Sequence, residues 1–320
     1  DHGTRHPPST GDTTFTGAEL EDLGKTVRWR HGAHKYSHGP ALIPSGPPGH
    51  TGAARLAARG ALRIGAGLVT VGCPPEAVAE HAARLDAGML RAIADGGDLT
   101  ETLTDPRINA LCLGPGLGLD DRARGLVAAA LEVDAQRAAP GPAGGARSAR
   151  PVGGGSGAAR RAAGRNLVLD ADALTILSRH PDLFAALHEG CALTPHAGEF
   201  ARLFPDIAEK LAAPATKGPA YSKVDAPREA AKRAGCVVLF KGPDTVIADP
   251  SGRCSINSAH YDRAAPWLAT AGSGDVLAGF IAGLLARGFA PMQAAETAAW
   301  LHVECARSFG PGPIAEDLPG

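Results

Sequence analysis

"HKYSHGPALIPSGPPGHTGAARLAARGALRIGAGLVTVGCPPEAV" occupies residues 34–78. Residues 41–43 are a short apolar run that ends in a proline- and glycine-rich loop, as a strand does when it reaches a turn. Thr51 then stands where it can cap a helix through 52–67. In that helix Leu56 and Leu62 are spaced for one buried side, and Arg55, Arg59 and Arg63 form an i, i+4 row. "LVTVGCP" (68–74) reads as a buried strand. Strand, loop, helix and strand make a parallel crossover.

The alternation recurs down the chain. "INALCLGPGLG" (108–118) is a strand ending in glycines, followed by a helix over 119–136. "NLVLDADAL" (166–174) is a strand ending in two acids, again followed by a helix, to 189. "CALTPHAGEFARLF" (191–204) is a strand, a turn and a helix start. A helix over 225–235 leads into the strand "CVVLFKGP" (236–243), and 244–257 reads as a hairpin turning at "DPSG". Helices over 274–288 and 291–309 close the chain. This order predicts an α/β fold: a doubly wound, mostly parallel central sheet with helices on both faces.

Composition narrows the class. Hydrophobic residues are 44% of the 320 and aromatics only 4%, so the core is aliphatic, with close backbone approaches at glycines. The formal net charge of −1 provides no global field for nucleic acid or an anionic membrane, and neither is expected as a partner. The longest apolar stretch, 276–286, is too short to span a bilayer. Cys73, Cys112, Cys191, Cys236, Cys254 and Cys305 form no CxxC pair and fit buried free thiols in a reducing, cytoplasmic setting. Residues 1–33 are polar and turn-rich, a tail or linker before a domain over 34–320. Gly/Ala/Pro/Arg-rich 137–165 reads as a disordered insertion between a helix and a strand. The chain starts at Asp1 without Met, which fits processing or a piece of a longer polypeptide.

In open parallel sheets ligands bind beyond the carboxyl ends of the strands. Here those ends carry "GPGLG" (114–118), Asp170 with Asp172, "TPHAGE" (194–199) and "KGPDT" (241–245). Each alone is an ordinary turn, cap or solvated lysine; four on one edge indicate a site. "WLATAGSGDVLAGFIAGLLARG" (267–288) adds a helix start at which Gly272, Ser273 and Gly274 can turn their N–H groups toward an anion. Val276, Leu277, Phe280, Ile281, Leu284 and Leu285 make one side of that helix bulky, while Ala278, Gly279, Ala282 and Gly283 allow close packing on the other. Asp275 is either an N-terminal charge on the helix dipole, worth about 0.3–1 kcal/mol, or a base beside a bound phosphate. His196 and Glu199 stand three apart at a helix entrance, where Glu199 either complements the dipole or orders Mg2+ through water.

Together these motifs, with "HTGAARLAARGALRIGAGLVTV", "VVLFKGPDTVIADPSGR" and "LTPHAGEFARLF", resemble the ADP/ATP-dependent NAD(P)H-hydrate dehydratases, in order from about His34 to Glu316. The resemblance implies a ribokinase-like fold and a hydro-lyase that repairs the S epimer of hydrated NADH or NADPH (NADHX, NADPHX). ADP or ATP is the phosphoryl donor, Mg2+ is a cofactor, and AMP or ADP leaves with phosphate. It makes Asp275 the base and contact to the hydrate hydroxyl. Gly274 would contact the nucleotide, Gly272 and Ser273 would complete the anion hole, and Lys241, Gly242, Pro243, Asp244 and Thr245 would bind the nucleotide. Ala53, His196 and a glycine of "GPGLG", Gly116 or Gly118, would contact the hydrated dinucleotide. Glu199, with Asp170, would act through Mg2+ and water. A homo-oligomer, with a tetramer as one option, and linkage to an epimerase domain in a longer chain are also implied. The sequence departs from the family at Pro44, Pro47 and Pro48, which remove N–H donors from the first loop. It departs also at 137–165 and in a longer run before Trp267. A sugar or vitamin kinase of the same fold and a decayed nucleotide-binding protein are the two other readings.

Overall fold

The computed structural model describes residues 38–138, 165–214 and 220–319. Its strands are β1 (Pro40–Pro44), β2 (Leu68–Cys73), β3 (Met89–Ala92), β4 (Ala110–Leu113), β5 (Asn166–Leu169), β6 (Cys191–Leu193), β7 (Val237–Phe240), β8 (Asp244–Ala248) and β9 (Cys254–Ser258). They form one sheet in the order β3-β2-β1-β4-β5-β6-β7-β8-β9. Pairing is parallel from β3 through β7, and β8 and β9 add an antiparallel hairpin at one edge. Strand order reverses between β1 and β4, the place where a doubly wound sheet opens a crevice.

Alternation along each strand sorts the core into two layers. Ala41, Ile43, Ala110, Cys112 and Val168 pack with α1 (Gly52–Arg63), α10 (Ser273–Ala286) and α11 (Pro291–Phe309). Leu42, Leu111, Leu113, Leu167 and Leu169 pack on the opposite face. That face is covered by α3 (Gly96–Thr102), α4 (Asp121–Ala138), α5 (Ala171–Arg179), α7 (Ala197–Leu203) and α9 (Asp225–Ala234). Short helices α2 (Val78–Ala82), α6 (Pro181–Ala185) and α8 (Pro205–Ala212) complete the connections.

The layer holding α10 is built from smaller side chains, and the helix lies against the backbone of α1. A β-carbon at Gly279 would fall 2.1 Å from the Ala57 carbonyl oxygen, and one at Gly283 would fall 2.2 Å from Ile64 Cγ2. The small side of the 276–286 helix thus faces α1, and every residue from Val276 to Ala286 is buried.

This contact corrects the sequence reading of α1. Its buried residues are Ala54, Ala57, Ala58, Gly60 and Ala61, and Leu56 and Leu62 are only partly buried. With α10 so close, alanine is what fits. Thr51 does not cap α1: its backbone is already helical and its hydroxyl is given to the Glu80 carboxylate.

Four elements went unpredicted: β3, α3 and the short helices α2 and α8. β3 is a largely exposed edge strand without an apolar pattern. α3 is polar and starts at Asp95, whose side chain accepts from the Asp98 N–H at 3.0 Å.

The tail at 1–33 lies outside the described residues, as do 139–164 of the expected insertion. The edges of that insertion are ordered: 137–138 finish α4, and Arg165 is buried, donating to the carbonyls of Leu103, Asp105 and Ile108. All six cysteines are free, five of them buried. Among the described residues no helix is long and apolar enough to cross a membrane.

Candidate active site

Parallel strands deliver their carboxyl ends to one edge, and there β5, β6 and β7 bring three polar side chains together. Asp170 follows β5 and is 1% exposed. Its Oδ1 accepts from Thr194 Oγ1 at 2.7 Å and from Lys241 Nζ at 2.8 Å. Burial works against the Lys241 charge, but Asp170, Glu199 and Asp275 together outweigh it, so its pKa ends above the ordinary lysine value. Ala171, between the two acids, is held at φ +44°, a left-handed conformation that costs an alanine about 1 kcal/mol or more. Beyond it Asp172 accepts from the Gly118 N–H at 2.9 Å. The glycine loop lies directly on this corner: a β-carbon at Gly114 would fall 1.7 Å from the Asp170 carbonyl oxygen.

Asp275 enters from the other direction, in the first turn of α10. Gly272 opens the turn at φ +87°, and Ser273 Oγ holds it by donating to the Leu268 carbonyl at 2.7 Å. Burial pushes the Asp275 carboxyl up to about 7, the Asp170 charge adds to this, and Lys241 opposes it. Asp172 and Glu199 add smaller upward contributions. A carboxyl poised there can take a proton at neutral pH and return it. A β-carbon at Gly274 would lie 3.4 Å from Lys241 Nζ, so the ammonium and the helix N-terminus converge. Together they favour an anion.

A cavity of about 520 Å³ opens on this convergence. Lys241, Gly242, Pro243 and Thr245 line it on one side and Ser273 and Gly274 on another. Ala265, Leu268, Leu277, Ala299 and Val303 give it an apolar wall. Its size and mixed lining suit a small-molecule ligand with a charged end.

Two residues expected at the nucleotide do not line the cavity. Asp244 turns to the β8–β9 hairpin, where its Oδ1 accepts from Ser258 Oγ at 2.7 Å. Gly272 packs on α1, where a β-carbon would fall 2.6 Å from Leu56 Cδ1.

The residues expected at the dinucleotide lie along the strand ends instead. A β-carbon at Gly116 would sit 3.3 Å from Ala53 Cβ, so these two are neighbours, and Gly118 joins them to Asp172. His196 forms a reciprocal cap with Glu199. Its Nδ1 accepts from the Gly198 N–H at 3.0 Å, and the His196 backbone N–H is given to Glu199 Oε2 at 2.9 Å.

Glu199 therefore does what a helix-entrance acid does. It is 6% exposed, and its Oε2 lies 3.9 Å from Lys241 Nζ. Among the described residues no group of three or more His, Cys, Asp or Glu is arranged to hold a metal ion. The cation set among these acids is the Lys241 ammonium.

The proline-bearing loop is pinned from α2. Ser45 Oγ lies 2.9 Å from His81 Nε2, and the Gly49 N–H is given to Glu80 at 2.8 Å. The longer run before Trp267 supplies Ala264, Ala265 and Pro266 to the cavity. It is tied to α11 by Arg263, which donates to Glu304 at 3.1 Å, and by Trp267 Nε1, which donates to the Ala306 carbonyl at 2.9 Å. These wall residues and His302 carry no motif, and nothing in the sequence marks them as lining a site.

A helix start facing an ammonium, a carboxylate raised toward neutrality and an adjoining cavity suit a ligand with an anionic end. Comparison with known proteins makes the class specific. The family model described as NAD(P)H-hydrate dehydratase matches residues 41–136 and 158–314, and the chain belongs to that family. It is 38% identical over 289 residues to the bifunctional NAD(P)H-hydrate repair enzyme Nnr of Salinibacter ruber, covering 85% of this chain and 44% of that protein. It is 35% identical over 274 residues to the protein of the same name from Gloeobacter violaceus, covering 84% and 45%. The chain spans about half the length of these curated relatives. Among solved structures, a ribokinase-like superfamily protein from Enterococcus faecalis superposes with a TM-score of 0.70 at 21% identity, over 99% of this chain and 95% of that one. The ADP/ATP-dependent NAD(P)H-hydrate dehydratase from Bacillus subtilis, co-crystallised with ATP/Mg2+, gives 0.65 at 24% identity, over 93% of each chain. The fold is ribokinase-like.

Proposed function

We propose that this chain catalyses nucleotide-dependent dehydration of the S epimer of hydrated NADH or NADPH, returning the reduced dinucleotide. The observation that carries this reading is Asp275: a carboxyl raised to about 7 in the first turn of α10, between the cavity and the strand-end acids.

The nucleotide sits in the cavity with its phosphates toward Lys241 and the Gly274 turn, where ammonium and helix N-terminus offset their charge. The hydrate lies along the strand ends, against Ala53, Gly116, Gly118 and His196. Asp275 takes the proton of the ring hydroxyl as that oxygen attacks the terminal phosphoryl of ADP or ATP, and AMP or ADP departs. The ring C–O bond then breaks, phosphate leaves with the electron pair, and a proton is lost from the neighbouring ring carbon. The sum is loss of water from the hydrate at the cost of one phosphoanhydride bond.

Mg2+ belongs to the same reading. It takes few protein ligands and keeps several waters. With Asp170 and Glu199 already partnered, it would be held through nucleotide phosphates and water, and when bound it would neutralise phosphate charge. The enzyme acts in the cytoplasm as a homo-oligomer, alone or joined to an epimerase domain.

The test incubates the purified protein with hydrated NADH and ADP or ATP in parallel and follows the reduced-nicotinamide absorbance. Recovery that requires nucleotide is expected. No recovery, together with phosphorylation of a separate sugar or vitamin alcohol, would replace this reading with a small-molecule kinase. Nucleotide binding without any turnover would make the site a decayed one.

A further inference from the structure

One wall of the cavity is a run of chain with little to hold it by packing. Residues 259–268 follow β9 and contain only two single turns of 3-10 helix, Tyr261–Arg263 and Pro266–Leu268. The run gives Ala259, Ala264, Ala265, Pro266 and Leu268 to the cavity. Four of these five are alanine or proline, which bury little apolar area each. Of the five only Ala265 is buried.

Polar ties replace packing, and most of them come from one side chain. Arg263 Nε donates to Glu304 Oε1 on α11 at 3.1 Å, and its Nη2 lies 3.0 Å from the same oxygen. Its Nη1 donates to Asn257 Oδ1 at 2.8 Å and to the Ser258 carbonyl at 3.4 Å. The guanidinium lies over the Trp300 ring, 5.4 Å from its centroid. One planar fork thus joins the end of β9, the run and a face of α11. Arg307 backs it, donating to Glu304 and to the Asp262 carbonyl, each at 2.9 Å. The Ala259 N–H is given to the Pro243 carbonyl at 2.8 Å, so the run is also tied to the loop that carries Lys241.

Arg263 does not line the cavity, but it holds a residue that does, Asn257. The orientation of the Asn257 amide follows from its partners. Oδ1 meets a guanidinium, which can only donate, and Nδ2 donates to the Ala299 carbonyl at 2.9 Å, which can only accept. The place of the wall and the orientation of its amide therefore both depend on a side chain outside the cavity. A wall that is ordered before the ligand arrives spares the cost of ordering it on binding.

We propose that Arg263 is a positioning residue for the nucleotide: it holds 259–268 as a preformed wall against which the nucleoside part packs. This rests on the cavity being the nucleotide site. Arg263 touches neither nucleotide nor hydrate, so its removal acts on nucleotide affinity and leaves the hydrate, along the strand ends, bound as before.

The experiment measures binding of ADP and of hydrated NADH separately by calorimetry. The proteins are the wild-type chain, Arg263→Met and Arg263→Lys, each checked for folding by its melting curve. Arg263→Met is expected to bind ADP roughly ten-fold weaker and the hydrate with unchanged affinity. Arg263→Lys, which keeps a charge over Trp300 but not the fork, should fall between the two. Hydrogen exchange in wild type gives a reading independent of any variant. The Ala259, Leu268 and Ala269 amides, which are hydrogen-bonded to Pro243, Ala265 and Pro266, should be protected before nucleotide is added. Unchanged ADP affinity in Arg263→Met, an equal loss for ADP and hydrate, or protection that arises only with ADP bound would overturn the proposal. Wild type that binds no ADP, or a loss confined to the hydrate, would overturn the nucleotide reading of the cavity and the proposal with it.

Discussion

The two sides of the 272–275 turn are chemical opposites. Toward the cavity, past Lys241 at its mouth, the wall is mostly apolar, with Leu268, Leu277, Ala299 and Val303 and a neutral His302. Toward the strand ends lie Asp170, Asp172 and Glu199 with Lys241 among them. One side suits a nucleoside, the other organises charge, and Asp275 stands at the junction. The contrast explains why Asp275 is raised: it is desolvated and placed near acids whose partner, Lys241, is already committed to Asp170.

Removing Asp275 breaks the junction most directly. Asp275→Asn should cut turnover about 10²–10⁴-fold while calorimetry shows nucleotide still bound. Retained turnover would take Asp275 out of the mechanism.

Lys241→Met attacks the charged side. It leaves Asp170 buried without its cation, a loss on the order of 3–5 kcal/mol, read as a lower urea midpoint. Lys241 also holds the Asp275 carboxyl down, so any activity left should need more alkaline conditions than wild type.

Stability against pH sharpens the same comparison. The Asp275 pKa is raised from 3.8 to about 7 on folding, so wild type is most favoured below the unfolded value and loses stability as pH rises between the two. Asp275→Asn escapes that loss. Urea unfolding near pH 8 should find the variant more stable by up to about 4 kcal/mol, with the gap closing near pH 4. A gap independent of pH would contradict the raised carboxyl.

Gly279→Ala has the smallest expected effect. It wedges α10 away from Ala57 and should cost about 1–3 kcal/mol in thermal unfolding. A neutral result would mean that the close seat of the turn is not needed.

The sequence made the sheet legible because strands and helices alternate cleanly and the strand ends share one edge. Asp275, Lys241 and the glycine loop could be read there because each sits at a chain reversal with a small set of permitted residues. The apolar wall could not: Leu277, Ala299 and His302 look like any core side chain until α10 and α11 are placed together. α1 was misread for a related reason. Its leucines are the larger apolar residues, yet the approach of α10 reserves the buried stripe for alanine. Glu199 and His196 show how a helix entrance carries two readings at once, since the pair forms a reciprocal cap there.

The most direct test of the account is the pH dependence of kcat/KM for nucleotide-driven recovery of NADH from its S hydrate. Activity should rise with pH along a limb centred at about 7, where the Asp275 carboxyl gives up its proton. A limb near the ordinary carboxylate value, or a flat profile through neutrality, would contradict the assignment of Asp275 as the base.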